Sequence, residues 1–415
     1  MKASESVQNF PAKLRLYTNY TVREIKNICK TIGPRPSASE AEKTAQEHFA
    51  EQMQSCCDTV ETEAFNVHPK AFLGWVIIDG IALILSLVFY FLHMPAVSIA
   101  LISIALICMF TEFLMYWEFL DPLFPKKTAY NVIGTRKPTG EVKQRIIFSG
   151  HTDSSYEWQF TYKGGAKFLV GGIVYAIVGA FFCLIVSIGT LISGGAIASE
   201  PAAFWEIVGY VQLAFLPGFV MILFFVNWKL PVEGANDNLT GAVASIAVLK
   251  FLADNNIRFE NTEVVALTAG CEEAGLRGSR AYIKRHKAEF EAIPTIFFGM
   301  DTLTDYEYLA IYNRDMTGTV KNDQRVCNLM KKASETVGLD LPFKSVFFGA
   351  SDAAAVSKLG IPAATLAAMD PAPARYYHTR LDTPEKLVPK TIEACLGVCL
   401  ESVFLFDEQG LKETY

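Results

Sequence analysis

Charge is scarce in this chain. Of its 415 residues only 19% are Asp, Glu, Lys or Arg, while 51% are apolar. That scarcity, with no long heptad run, excludes low-complexity disorder and coiled coil. A basic excess is also missing. The formal net charge is −6, so no whole-chain field draws nucleic acid, and none is expected as a partner. The nine cysteines form no Cys-x-x-Cys pair; Cys56 and Cys57 are neighbours and the rest are scattered. This reads as reduced thiols in a cytosol-facing protein and not as a disulfide framework. The opening MKASESVQNFPAKLRLYTNY holds no apolar core, so no cleavable signal peptide is expected.

The apolar excess is concentrated. Four stretches, roughly 71–92, 95–119, 168–192 and 207–228, are each long enough to cross a hydrocarbon core. Asp79, Glu112 and Glu118 are the charges inside them. Asp79 costs at most about 3 kcal/mol at a bilayer centre, and the Leu, Ile, Val and Phe residues between Ile81 and Leu92 offset it at about 0.3–0.6 kcal/mol each. The connectors His93-Met94-Pro95 and Ser193 to Glu206 contain no Lys or Arg, whereas Lys70, Lys126, Lys127, Lys163, Lys167 and Lys229 flank the outer ends. The positive-inside rule then places both connectors outside and the rest, termini included, in the cytoplasm. The expected organisation is an integral membrane protein with four transmembrane helices. Two hairpins, 71–120 and 167–228, interrupt one discontinuous cytoplasmic domain made of 1–70, 121–166 and 229–415. Asp79 and Glu112 either line a polar pocket between spans or sit near the cytoplasmic interface.

The remainder alternates strands with helices. Ser39-Glu-Ala-Glu42 reads as a capping box opening a helix to about Met53, led in by Gly33-Pro34-Arg35-Pro36. Strands are expected at 58–65 (an edge), 130–134, 145–149, 264–268, 295–298 and 362–368, and helices near 239–254, 277–290, 322–337 and 384–404. The last is expected to start at Thr383-Pro384. The fold class is therefore α/β, a mostly parallel mixed sheet sandwiched by helices, with two inserted transmembrane hairpins.

Function gathers beyond the carboxyl ends of such strands. There the sequence places Gly150-His151-Thr152-Asp153, Ala269-Gly270-Cys271-Glu272-Glu273 and Gly299-Met300-Asp301. Gly234-Ala-Asn-Asp237 leads into one helix and Tyr377-His378-Thr379-Arg380-Leu381-Asp382 precedes another. Imidazoles and carboxylates converging on one sheet edge suit Zn²⁺. Two ions about 3.5–4 Å apart need a shared carboxylate, and Asp237, in a glycine-flanked turn, is the natural bridge. Side chains of the adjacent Glu272 and Glu273 diverge, so one can ligate while the other holds the attacking water. Asp153, two residues from His151, is placed to orient its imidazole.

These stretches resemble the co-catalytic zinc exopeptidases typified by bacterial leucyl aminopeptidase, a family that includes glutaminyl cyclases and glutamate carboxypeptidases. The matching segments are GHTD at 150–153, GANDNLTG at 234–241, EEAGLRGS at 272–279, MD at 300–301 and YHTRLDTPEKL at 377–387, with IGPRPSASEAE at 32–42 similar to the family's first helix. The resemblance covers nearly all of the chain outside the hairpins; the four apolar spans, absent from the secreted relatives, make the expected protein a membrane-anchored variant. It implies two Zn²⁺ ions, one on His151, Asp237 and Asp301 and the other on Asp237, Glu273 and His378. Glu272 is then the general base and Asp153 a supporting partner of the ligands. A water bridging the ions, deprotonated by Glu272, attacks the first peptide bond of a short peptide.

One segment departs from the family. Phe347-Phe-Gly-Ala-Ser-Asp352 stands where relatives carry Ser-Asp-His, Ala353 follows, and Phe348 occupies the place of a tyrosine that some relatives have. Oxyanion stabilisation then falls to Tyr376, Tyr377 or the metals. A related amidohydrolase, a glutaminyl cyclase or a carboxypeptidase using Arg314, Arg375 and Arg380 are the alternatives. His48, His68, His93 and His286 read as surface or hairpin residues, Cys271 as packing and Asp352 as a helix N-terminal residue. Asp237 lies nine residues beyond Trp228, a reach of about 30 Å at most, which keeps the site near the bilayer.

Overall fold

The computed structural model describes residues 2–194 and 202–415. The chain divides into two units. The first comprises Met1–Pro69, Lys126–Tyr156 and Pro231–Tyr415, the second Lys70–Pro125 and Glu157–Leu230.

The first unit is built on a nine-stranded sheet. Its elements in chain order are α1 (Phe10–Thr31), α2 (Glu40–Gln54), β1 (Thr59–Val67), β2 (Lys127–Arg136), β3 (Gln144–His151), α3 (Leu239–Asp254), β4 (Thr262–Ala269), α4 (Arg277–Ala292), β5 (Thr295–Leu303), β6 (Ala310–Asp315), β7 (Val320–Lys321), α5 (Gln324–Thr336), β8 (Phe343–Ser345), α6 (Asp352–Lys358), β9 (Ala363–Ala368) and α7 (Pro389–Gln409). Strand order is β1-β2-β4-β3-β5-β9-β6-β8, with β7 paired to β6. The central strands β4, β3, β5 and β9 are parallel. Antiparallel pairs, β1–β2 and β2–β4 on one side and β9–β6 on the other, flank them. The sheet is the mixed, centrally parallel one that alternating strands and helices imply.

Its central strands are apolar throughout because helices cover both faces. Alternate residues part to opposite sides. Ile146, Phe148, Val264, Ala266, Ile296 and Phe298 join a core with α1, α3, α5 and α7. Ile147, Val265, Leu267 and Phe297 join a second core with Tyr282, Ile283 and Phe290 of α4 and Val356 of α6.

Two features differ from expectation. The last helix begins at Pro389, not Pro384; Pro384–Lys386 is a single 3-10 turn. A helix running through from Pro384 would bury Pro389 in its interior, where its ring meets the carbonyl four residues back; at the first helical position it costs nothing. Gly410, at φ 67°, ends that helix. The other feature is α1, which the run-based reading does not flag. It buries Phe10, Leu14, Tyr17, Thr21, Ile25 and Ile28, a helical stripe diluted by polar Thr and Tyr.

The second unit contains four helices long and apolar enough to cross a membrane: Ala71–Phe91, Pro95–Leu114, Gln159–Gly194 and Ala203–Ile222. The second ends at Leu114 rather than 119, through a π-helical turn at Met109–Leu114. The fourth ends at Ile222 rather than 228, because Val226–Pro231 is a strand paired with Tyr156–Trp158. Part of the connector Ser193 to Glu206, residues 195–201, lies outside the described residues.

Small residues let these helices approach closely. A Cβ on Gly80 would meet Leu223 at 2.5 Å, and one on Gly179 would meet Phe215 at 2.7 Å. Hydroxyls pair across helices, Ser98 with Ser187 at 2.9 Å and Tyr90 with Thr190 at 3.0 Å. Ile81, Leu85, Ile104, Ile107, Phe181 and Ile185 face outward. Asp79 and Glu112 are both buried, and Glu112 Oε1 accepts the N–H of Leu120 at 2.8 Å.

Candidate metal centre

The site forms where strands end. β3 finishes on His151, Glu272 and Glu273 follow β4 by way of Gly270-Cys271, and Asp301 lies near the end of β5. Asp237 reaches them because the start of α3 lies directly on β3. A Cβ on Gly150 would meet the Gly241 carbonyl carbon at 2.2 Å, so only glycine permits that approach. Local backbone is bent to aim the ligands. Cys271, Thr302 and His378 are non-glycine residues at φ 54°, 46° and 52°, a left-handed region that L-residues seldom adopt. The β5–β9 register also shifts between Asp301 and Leu303, which turns the Asp301 side chain locally.

Asp237 stands between two imidazoles. Its Oδ1 lies 3.2 Å from His151 Nε2 and its Oδ2 lies 3.1 Å from His378 Nε2. His378 Nε2 is also 3.0 Å from Glu273 Oε1, and His151 Nε2 is 3.7 Å from Glu272 Oε2. The ligand atoms fall into two groups, His151 with Glu272 and Asp301, and Asp237 with Glu273 and His378. Within each group all lie inside 4.8 Å of one another. The sequence-expected residues are thus brought together, with Glu272 and Glu273 diverging into different groups. Asp237 Oδ2 and Glu273 Oε1 are buried and have no hydrogen-bond partner although an imidazole nitrogen is close by. Buried oxygens pointing at a common centre without a donor are what a cation site presents, and the imidazole–carboxylate set is the one zinc takes.

Residues around these groups hold them in place. The Asp153 carboxylate accepts the N–H of Glu272 at 3.0 Å, the N–H of Glu273 at 3.1 Å and the Ser37 hydroxyl at 2.6 Å. Its Oδ1 is 3.4 Å from His151 Nδ1, while that nitrogen donates to the Asp153 carbonyl at 3.1 Å. A carbonyl only accepts, so Nδ1 carries a proton and Nε2 is the nitrogen left to face a cation. Asp153 therefore sets the Glu272–Glu273 loop as well as the imidazole.

Three further residues in this role were not picked out from sequence. Asp382 accepts the N–H of Asn236 at 2.8 Å, its amide at 2.7 Å and the N–H of Asp237 at 3.1 Å. Glu42 turns away from the expected reciprocal cap. Ser39 still accepts the Glu42 N–H, but Glu42 Oε2 takes the N–H of Ala38 at 2.6 Å and its Oε1 the N–H of Cys271 at 2.7 Å. Arg35, fully buried, donates to the carbonyls of Gly33, Thr152 and Gly234 and so ties three site segments together.

The electrostatics are those of a site short of positive charge. Burial opposes charge on His378, but Glu273 and Asp237 reverse this and hold it up at about 10. His151 is raised likewise, burial being outweighed by Glu272, Asp153 and Asp237. Asp237 goes below the usual range, its burial outweighed by the two imidazoles. Burial, with the charge of Asp237, pushes Asp301 up to about 8. Burial also drives Glu272 well up, against His151 and with Asp352, Glu273 and Asp301. Such a cluster keeps protons on its ligands until a cation replaces them.

The groups open into a cavity of about 70 Å³ whose walls include Tyr312, Phe347, Phe348, Met369 and Tyr377. Among the described residues no Lys or Arg lines it, so Arg314, Arg375 and Arg380 are not part of its wall. Tyr376 is not a lining residue either; its hydroxyl donates to Asp305 at 2.9 Å. The Tyr377 ring stacks on His378 at 3.8 Å. The Cys271 thiol is buried against Glu42, which keeps it protonated and unreactive. Asp352 opens α6 as expected, yet it is buried with Oδ1 unpartnered, and burial raises it to about 6.

The fold is that of known zinc aminopeptidases. The aminopeptidase of Aneurinibacillus sp. strain AM-1 superposes with a TM-score of 0.57 at 15% identity, covering 95% of each chain. BSAP, a zinc aminopeptidase from Bacillus subtilis, gives 0.55 at 15% identity over 93% of this chain and 94% of its own. A glutaminyl cyclase from an Acidobacteriales bacterium gives 0.54 at 14% identity over 95% and 96%. No curated protein sequence matches the chain. Residues 223–403 match the family model for peptidase family M28, a stretch that includes Asp237, Glu272, Glu273, Asp301 and His378. In that stretch and in its fold, the chain is similar to peptidase family M28.

Proposed function

We propose that the chain is a membrane-anchored, zinc-dependent aminopeptidase that releases N-terminal residues from short peptides. The observation that carries this reading is Asp237 between two imidazoles, each of its oxygens facing a different one. His151, Asp237 and Asp301 hold one zinc ion in this reading, and Asp237, Glu273 and His378 the other. Zinc so held supplies a Lewis acid for the scissile carbonyl and for water. Glu272 takes the proton from the attacking water and returns it to the leaving amine. Asp153 keeps Glu272 in position through its main-chain N–H. Among the described residues the cavity wall holds carboxylates but no Lys or Arg, so a free α-carboxylate would find no ammonium or guanidinium to pair with, whereas a free α-ammonium would find carboxylates. This supports an aminopeptidase over a carboxypeptidase.

The four apolar helices serve as the anchor. Their flanking lysines favour a topology with the first unit and both termini cytoplasmic and the two connectors outside. The partners are then a short peptide and the lipid bilayer.

Glutaminyl cyclases share the fold, which makes cyclisation of an N-terminal glutamine the second reading. One assay separates the two. The full chain, purified in detergent and analysed for metal, is offered aminoacyl-naphthylamides, their N-acetylated counterparts and a glutaminyl peptide. Two zinc ions per chain and cleavage of unblocked substrates alone are expected. One zinc ion with pyroglutamate as product would select the cyclase, and no turnover of either kind would overturn both.

A further inference from the structure

A carbonyl attacked by water develops negative charge on its oxygen, and a hydrogen-bond donor aimed at that oxygen lowers the barrier. The hydroxyl-bearing residues of the cavity wall are Thr302, Tyr312, Ser351, Thr365 and Tyr377. Most are already engaged. Thr302 Oγ1 donates to Asp301 Oδ1 at 2.9 Å. Ser351 Oγ donates to Asp315 Oδ2 at 2.6 Å and lies 2.6 Å from Thr365 Oγ1. Tyr377 stacks its ring on His378 and has a further interaction besides.

Tyr312 differs from these. It lies on β6, paired with Thr365 of β9, and is only 7% exposed. It packs with Ala310, Ala367 and Val346, yet its hydroxyl makes no hydrogen bond among the described residues. A phenol with so little exposure keeps few of its water contacts and has no protein partner among the described residues, so its O–H remains free to donate to a ligand in the cavity. Its place in the wall, shared with Asp301, Glu272 and His151, puts that donor beside the reacting groups. Sequence reasoning turned to Tyr376 and Tyr377 for this task; Tyr376 is bound to Asp305 away from the cavity.

We infer that Tyr312 donates the phenolic hydrogen bond that stabilises the substrate carbonyl oxygen as it becomes negative. The phenol makes and breaks no covalent bond in this role. It is a catalytic residue only if the chain hydrolyses peptides, so the inference rests on the aminopeptidase reading.

The test uses the full chain in detergent, loaded with zinc, and its Tyr312→Phe variant. Leucyl-naphthylamide hydrolysis gives kcat and KM. Calorimetry gives the affinities of leucine and of its boronic acid analogue, which mimics the tetrahedral state. Removing one such donor costs about 10²–10³ in rate. The expected result is a kcat lower by about 100-fold, KM within about threefold, boronate affinity weakened in step with kcat, and leucine affinity and zinc content unchanged. Unchanged kcat and boronate affinity would overturn the assignment. So would a parallel loss of leucine affinity, because Tyr312 would then shape the pocket without meeting the oxyanion. A wild-type protein that cleaves no peptide would instead overturn the proposed function, and this assignment with it.

Discussion

Asp382 receives the main-chain N–H of Asp237 at 3.1 Å, so the residue between the two imidazoles is held through its backbone by a carboxylate 145 positions away. Asp382 also takes two bonds from Asn236. Tenfold to 100-fold losses in metal affinity are usual when such supporting partners are removed. Asp382→Ala is expected to weaken zinc binding by about that factor while leaving every ligand in place. Competition with a chelator of known affinity measures it; wild-type affinity would show that the turn holds Asp237 unaided.

Glu272 can be separated from the residues that bind metal. Glu272→Gln keeps size and one carbonyl oxygen but cannot take a proton. Turnover of leucyl-naphthylamide should fall by about 10²–10⁴, the usual worth of general acid–base catalysis. Zinc content, read by elemental analysis, should stay at the wild-type value. Undiminished turnover would remove Glu272 from the mechanism.

The metal-free protein should lose stability as pH rises. Burial raises Asp301 and Glu42 to about 8 and Asp382 to about 7, against ordinary values near 4. Between those limits the folded chain binds more protons than the unfolded one, so each step up in pH favours unfolding. His378, opposed by burial but held up at about 10 by Glu273 and Asp237, acts in the same direction. Its stabilisation is complete below about 6.5 and disappears as pH passes about 10. Chelator-treated protein should therefore melt at a lower temperature at pH 9 than at pH 6. Zinc should shrink the difference, since ions take the place of the protons. A melting temperature that rises over this interval would contradict the assignment of charge in the site.

Gly150 is where β3 and the start of α3 meet. The atoms that an added methyl would strike are backbone, at 2.2 and 2.3 Å from Gly241 and Ala242, and backbone does not rotate aside. Gly150→Ala should cost about 3 kcal/mol, at the upper end of overpacking penalties, and displace Asp237 from His151. Thermal unfolding and zinc titration of the variant would register both effects.

The residues that gather at the candidate site were legible because most of them follow a strand whose apolar run marks it as buried. His151, Glu272, Glu273 and Asp301 all sit at such ends, and a strand end fixes where a side chain goes. Asp382, Glu42 and Arg35 were not legible as supports. Their partners lie 145, 229 and 199 residues away, and no local pattern announces a bond of that span. Glu42 even carried a competing local reading, the capping box, which the structure honours only by half. Tyr312 escaped notice because β6 lies on the far side of β9 and outside the segments that carry the site motifs. The four apolar runs were plain in composition, but their ends were not. Val226, Trp228 and Leu230 look like a continuation of the apolar run, but Asn227 and Lys229 alternate with them as in a strand.

The order of segments along the chain has a consequence for biogenesis. His151 is translated before the second hairpin and Asp237 after it, and His378 comes last of all. A nascent chain therefore cannot gather both imidazoles around Asp237 until the ribosome has passed codon 378, well after the last apolar helix has been made. On the proposed topology, insertion into the bilayer precedes loading with zinc. The hydrolase would stay dormant throughout its own synthesis and become competent only once it is already tethered.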